Sequence, residues 1–313
     1  MLKEAFNTGW LFFRGSGTAL ERTLGGEQTP TPVTLPHDAM ILEKRDPNTP
    51  AGNASGYYPA ETVHYTKAFT VDDPAGAAYL EFEGVYPKAA VYVNGSLAAQ
   101  HHNGYTAFTV DLSPFLKKGS NTVKVLVRNG APSSRWYTGE GIYRDVWLFK
   151  GENVHIAPNG VQIAVAEADA QAATLLIKTT LVNRDPTAKA LVLRHRIGGE
   201  EISAPVTLLS GETKTVTLRF TLAKPKLWST DEPFLYDCET ALEGLDEART
   251  RFGVRTLSLD AVRGLRINGE PVKHLGGCIH QDHGVIGAVE HRALTFRRIR
   301  KLREAGYNAS SFQ

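Results

Sequence analysis

The sequence predicts a mainly β protein, with two β-sandwiches in series followed by one short strand–helix–strand unit. Three observations predict it. Apolar residues recur with period two from about Tyr65 to Leu259, the spacing of strands buried on one face. Asn94-Gly95 and Asn268-Gly269 punctuate the alternation, where two-residue hairpin turns need left-handed backbone. A helical period is found only after Asp260. At 313 residues the chain is too long for one ordinary core, so two or three domains are expected.

In chain order, Leu80 and Phe82 alternate with Tyr79, Glu81 and Glu83, and Val91 and Val93 lead into the Asn94-Gly95 turn. Val123, Val125 and Val127 alternate with Thr122, Lys124 and Arg128. These half-buried antiparallel strands predict a first sandwich over residues 1–152. Leu175, Ile177, Leu191 and Leu193, then Val216, Leu218 and Phe220 between Thr215, Thr217 and Arg219, predict a second over residues 153–259. Its length of about a hundred residues suits an immunoglobulin-like sandwich. Cys238 and Cys278 cannot form that fold's inter-sheet bridge and are expected as free thiols.

Residues 260–313 change pattern. A hairpin (Leu265, Ile267) leads to an apolar strand, Val272 to Ile279, and then to a helix on which Phe296, Ile299, Leu302 and Ala305 share one face. Gly306 is placed to end it. Such a unit leaves a strand edge and an apolar helix face that something must cover. A homo-oligomer through this segment is the expected cover, and packing against the second sandwich is the alternative.

Composition is that of an ordinary globular protein, with 42% hydrophobic and 22% charged residues. A formal net charge of +2 gives no reason to expect nucleic acid or a membrane as partner. The basic side of the helix (Arg297, Arg298, Arg300, Lys301, Arg303) reads as a solvated outer face. Met1 to Asn7 has no charged-then-apolar leader, which predicts a cytoplasmic protein and leaves open a removed export signal.

The stretch Ser134 to Leu148 packs four aromatics, two arginines, two acids and two glycines together. Asp145-Val146-Trp147-Leu148-Phe149 reads as a strand, whereas Trp136, Tyr137, Gly139, Glu140 and Gly141 read as a loop holding rings and charges at a surface. Consider it with Phe6-Asn7-Thr8-Gly9-Trp10, Leu35-Pro36-His37-Asp38, Gly56-Tyr57-Tyr58-Pro59, Val91-Tyr92-Val93-Asn94-Gly95 and Gly104-Tyr105-Thr106-Ala107-Phe108. Together these resemble the sugar-binding domain of glycoside hydrolase family 2, which includes β-galactosidases and β-glucuronidases. Pro225-Lys226-Leu227-Trp228-Ser229, Pro233-Phe234-Leu235-Tyr236 and Phe252-Gly253-Val254-Arg255 resemble its immunoglobulin-like domain. Ile267-Asn268-Gly269-Glu270-Pro271-Val272 and Leu275 to Gly284 resemble the opening of its catalytic barrel.

The resemblance implies a jelly-roll β-sandwich, an immunoglobulin-like β-sandwich and a truncated (β/α)8 barrel remnant holding the first strand and first helix. It implies a retaining β-glycosidase of β-galactosidase type, with a β-linked sugar or oligosaccharide as ligand and no cofactor. The family's two catalytic glutamates lie on later barrel strands. This chain is therefore expected to be a carbohydrate-binding or structural part with no ordinary hydrolysis of its own. A short active β-glycosidase with a rebuilt site, and a subunit complementing a separate catalytic chain, are the alternatives. The family pattern Asn-Ala-Ile-Arg is followed here only through Asn308-Ala309.

Retaining hydrolysis needs an acid and a nucleophilic carboxylate about 5–5.5 Å apart. Asp282, just after the first barrel strand, and Glu140 are the candidate catalytic carboxyls in a rebuilt site. His280, Asp282, His283, Trp136, Tyr137 and Glu140 are the candidate sugar contacts, since hydroxyl groups suit such donors and acceptors and rings stack on a pyranose. The His-x-Asp-His spacing at 280–283 lacks a fourth ligand, so no metal is assigned. Trp136 and Tyr137 have packing against a neighbouring domain as their other reading. Glu140 and Asp145 have pairing with Arg135 and Arg144 as theirs.

Overall fold

The computed structural model describes residues 1–15, 29–130, 137–280 and 282–312. By compactness the chain forms two units: Lys3–Phe149 with Gly276–Gln313, and Met1–Leu2 with Lys150–Leu275. It is a mainly β protein.

Ten strands among the described residues run through the first 151 positions. They are β1 (Leu2–Ala5), β2 (Trp10–Arg14), β3 (Thr31–Val33), β4 (Thr62–Val71), β5 (Ala77–Phe82), β6 (Ala89–Val93), β7 (Ser96–His101), β8 (Phe108–Asp111), β9 (Gly119–Arg128) and β10 (Val146–Gly151). A four-stranded sheet, β1-β10-β5-β8, and a six-stranded sheet, β3-β2-β4-β9-β6-β7, enclose Trp10, Val63, Tyr65, Leu80, Phe82, Val91 and Val125. The alternation predicted for β9 is seen in its inward valines. Central strand β5 departs from alternation: Tyr79 and Glu81 are buried along with Leu80 and Phe82. Glu81 meets the Lys3 ammonium at 3.1 Å, and pairing is what makes a buried carboxylate tolerable.

The second unit holds β11 (Val154–Ala168), β12 (Ala172–Asn183), β13 (Lys189–Ile197), β14 (Glu200–Leu208), β15 (Thr213–Ala223), β16 (Tyr236–Leu242) and β17 (Asp246–Phe252). Their sheets, β11-β12-β15 and β14-β13-β16-β17, are antiparallel throughout and face one another across Leu175, Ile177, Leu193, Phe220 and Cys238. Register Leu175↔Phe220 and Ile177↔Leu218 puts the predicted apolar sets of β12 and β15 on one face. Cys238 is buried and Cys278 exposed, and both are free thiols.

A small sheet of β18 (Leu257–Asp260), β19 (Gly264–Ile267) and β20 (Glu270–Pro271) belongs to this second unit, although its hairpin was expected with the C-terminal segment. The Asn268 side chain explains the attachment. Its Nδ2 donates to the Trp228 carbonyl at 3.0 Å and its Oδ1 accepts from the Thr256 amide at 3.0 Å.

From Gly276 the chain rejoins the first unit. β21 (Gly276–Ile279), shorter than the predicted Val272–Ile279, pairs in parallel with β22 (Ala309–Phe312) through helix α1 (Arg292–Glu304). Tyr307 N–H reaches the Leu302 carbonyl at 3.0 Å behind Gly306, closing the helix where predicted. No residue of α1 is buried: Phe296 is 67% and Ile299 38% exposed. Among the described residues, no helix is long and apolar enough to cross a membrane.

Candidate functional site

The site is built from two short segments that the first unit brings together. One is the turn after β21. His280 is exposed, and Asp282 and His283 are half-buried. His283 N–H donates to the Gly287 carbonyl at 2.7 Å, and Gly287 N–H donates back to His283 at 2.9 Å, closing a five-residue loop. Arg298 of α1, expected on the solvated face, instead holds this turn. Its guanidinium donates to the carbonyls of His280 (3.1 Å) and Asp282 (3.0 Å) and meets His283 Nδ1 at 3.0 Å. A guanidinium has no acceptor, so Nδ1 must accept and the ring proton sits on Nε2. Burial, then the Arg298 charge, holds the His283 pKa below its ordinary value. Arg298→Met is therefore expected to raise the His283 midpoint part of the way back, with the share due to burial remaining. An NMR pH titration of the ring protons checks this.

The other segment follows residue 136. Here the expectation of a surface loop is corrected: every residue from Tyr137 to Tyr143 is buried. The Glu140 side chain shows why. Its Oε2 accepts the Glu61 amide and the Asn129 Nδ2, each at 3.0 Å, so the carboxyl ties the two sides of the loop to the start of β4. Burial raises its pKa to about 7, with the charges of Glu61 and Asp38 adding and the two hydrogen bonds opposing. The side chain is 2% exposed. Arg144 pairs with Glu290 at 3.0 Å, and Asp145 accepts from Asn7 Nδ2 at 2.9 Å. Trp136 and Arg135 lie outside the described residues.

Tyr137 links the segments. Its hydroxyl donates to Asp38 Oδ2 at 2.8 Å and its ring meets Tyr58 edge-on. Burial raises its pKa first, Asp38 adds, and Tyr58 and Asp282 contribute further. Asp38, Arg298 and Glu290 went unrecognised as site residues in the sequence. The one local signal was the family-like stretch Leu35-Pro36-His37-Asp38, with nothing to indicate its partners.

Among the described residues, no group of three His, Cys, Asp or Glu side chains is arranged to hold a metal ion. A cavity of about 340 Å³ on the second sandwich is lined by Arg194, Arg196, Arg249, Glu239 and Glu247. Arg196 pairs with Glu239 and Arg249 with Asp237, so its charges answer one another.

Two β-sandwiches lead into a parallel strand–helix–strand unit. Residues 41–152 match the sugar binding domain of glycosyl hydrolases family 2, and residues 154–255 match glycosyl hydrolases family 2 directly. Together these cover more than half of the sequence, and the chain belongs to that family. It is similar to the β-galactosidase BoGH2A of Bacteroides ovatus, 34% identical over 98% of this chain and 38% of that protein. It is also similar to a β-glucuronidase of Bacteroides fragilis, 29% identical over 74% of this chain and 36% of that protein. A solved family 2 member from Bacteroides cellulosilyticus superposes with a TM-score of 0.91 at 29% identity, over 100% of this chain and 43% of that one. The chain thus spans well under half the length of these relatives.

Proposed function

We propose that this chain supplies the sugar-recognising front of a retaining β-glycosidase that acts on β-galactosides or β-glucuronides. The observation that carries the reading is the seating of the His280–His283 turn, within one compact unit, beside a sandwich that matches a sugar binding domain. His280, Asp282 and His283 offer ring nitrogens and a carboxyl group to sugar hydroxyls, and Trp136, outside the described residues, is the candidate ring to stack on a pyranose. Tyr137 and Glu140 support the loop behind them. Free thiols, one of them exposed, suit a reducing compartment, so the cytoplasm is the proposed location.

Titration calorimetry with methyl β-galactoside and methyl β-glucuronide tests the reading. Binding in the millimolar range to one of them is expected, weakened by His280→Ala and by Asp282→Asn; equal affinities in all three proteins would remove it. The resemblance puts the family's two catalytic glutamates on later barrel strands, and Glu140 is buried. No turnover of aryl β-glycosides by the chain alone is expected. Turnover that survives repurification and vanishes in Asp282→Asn would establish the rebuilt-site alternative.

The exposed face of α1 and the β21–β22 edge are proposed to receive further strands and helices of a (β/α)8 barrel, from the same polypeptide or a complementing one. The short span against relatives supports this. Homo-oligomerisation through the same face is the second reading, favoured by the 67% exposure of Phe296. Light scattering separates them, since a monomer at high concentration excludes the second.

A further inference from the structure

We propose that Asp38 is a positioning residue that couples the Tyr137–Glu140 loop to the turn carrying Asp282 and His283. Its carboxylate is 2% exposed and accepts four hydrogen bonds. Oδ1 takes the Met40 amide at 2.9 Å and the Glu140 amide at 3.0 Å. Oδ2 takes the Tyr137 hydroxyl at 2.8 Å and the Ala288 amide at 2.7 Å. Three segments far apart in sequence therefore meet on one side chain.

A carboxylate offers about four lone-pair sites, and all are engaged, so Asp38 itself has nothing left for a ligand. Its reach is indirect. Ala288 is fixed on Oδ2, and the adjacent Gly287 is bonded in both directions to His283, so the carboxylate sets where His283 and its neighbour Asp282 sit. The packing leaves no slack. Gly287 has φ +68°, and a Cβ there would overlap Asp38 Oδ2, come within 2.6 Å of Tyr137 Oη and lie 2.9 Å from Ile41 Cβ. Charge-assisted hydrogen bonds from fixed donors are how a buried carboxylate avoids its desolvation cost, and they make this contact directional.

The coupling stands apart from the sugar reading; only its effect on affinity rests on that reading. Hydrogen exchange on the full chain tests the coupling. In Asp38→Asn the retained carbonyl oxygen can still serve Met40 and Glu140, while the amide nitrogen faces two donors. Exchange at Ala288 is expected to rise about 10- to 100-fold, the equivalent of one charge-assisted hydrogen bond, with Met40 and Glu140 changing much less. Unchanged protection at Ala288 would overturn the proposal.

Should Asp38→Asn not fold, Tyr137→Phe removes one donor. Exchange at the Tyr137 amide, which donates to the Ala54 carbonyl at 3.2 Å, should then rise together with that at Ala288. Raised exchange at Tyr137 with unchanged protection at Ala288 would contradict the coupling. If the wild-type chain binds a β-glycoside, Asp38→Asn should weaken it about tenfold or more. Unchanged affinity with raised Ala288 exchange would reduce Asp38 to a structural contact. If the wild type binds no sugar, the sugar reading fails and the exchange data alone decide this one.

Discussion

Gly141→Ala is expected to destabilise the first unit by about 3 kcal/mol or more, combining the cost of a strained backbone with that of an overfilled core. Gly141 has φ +118°, a region that side-chain-bearing residues rarely enter. A Cβ there would overlap the Tyr65 hydroxyl and lie 3.1 Å from the His37 carbonyl. Neither neighbour can retreat cheaply. Tyr65 is fully buried with its hydroxyl on His37 Nδ1 at 2.9 Å, and Gly141 exchanges backbone hydrogen bonds with Tyr86 at 2.9 and 3.1 Å. Urea unfolding followed by amide exchange of the Tyr65 and Val125 strands measures the loss. Tyr65→Phe in the same chain removes the overlapping oxygen, so the double variant should be more stable than the two single losses predict. A loss under about 1 kcal/mol for Gly141→Ala would mean that this backbone is not strained.

Acid is expected to destabilise the second sandwich between pH 7 and pH 5, with His195 contributing about 2 kcal/mol and the buried His155, whose pKa is also lowered, acting in the same direction. The His195 ring is fully buried between Thr179 Oγ1 (3.3 Å from Nε2) and Thr240 Oγ1 (3.0 Å from Nδ1). Both neighbours are neutral, and burial lowers its pKa to about 4 from the ordinary 6.5. The folded state therefore holds the ring neutral while the unfolded chain takes up a proton below pH 6.5. This stability is fully present above pH 6.5 and is lost as pH falls toward 4. Denaturant titrations at several pH values, read from exchange of the Leu193 and Ile177 amides, check the slope. His195→Gln keeps a donor and an acceptor between the threonines and should make the dependence shallower by about 2 kcal/mol over this window. A variant that loses stability with acid as the wild type does would remove His195 as a cause.

Strand, turn and helix signals were legible because each depends on neighbours a few positions apart. The Val123–Val127 alternation, the Asn268-Gly269 hairpin and the Gly306 stop could be read without knowing what they pack against. Family membership was legible for a related reason, since its motifs run in order along most of the chain. Side-chain roles in the candidate site were a different matter. Glu140, Tyr137 and Arg298 looked like surface groups because their sequence neighbours are polar or aromatic. Their burial depends on contacts with Glu61, Asp38 and the His280 carbonyl.

Two β-sandwiches, a strand–helix–strand unit and membership of glycoside hydrolase family 2 can be read from the order of the residues. Tertiary structure alone decided that Asp38 collects donors from Glu140, Tyr137 and Ala288, partners 102, 99 and 250 positions away, and that His195 is sealed as a neutral base. It also decided that the segment from Gly276 joins the first sandwich's unit. The physical reason is range. Backbone periodicity is set by local sterics and repeats down the chain, whereas the hydrogen-bond partner and dielectric of a side chain are set by whichever distant segment folding brings against it.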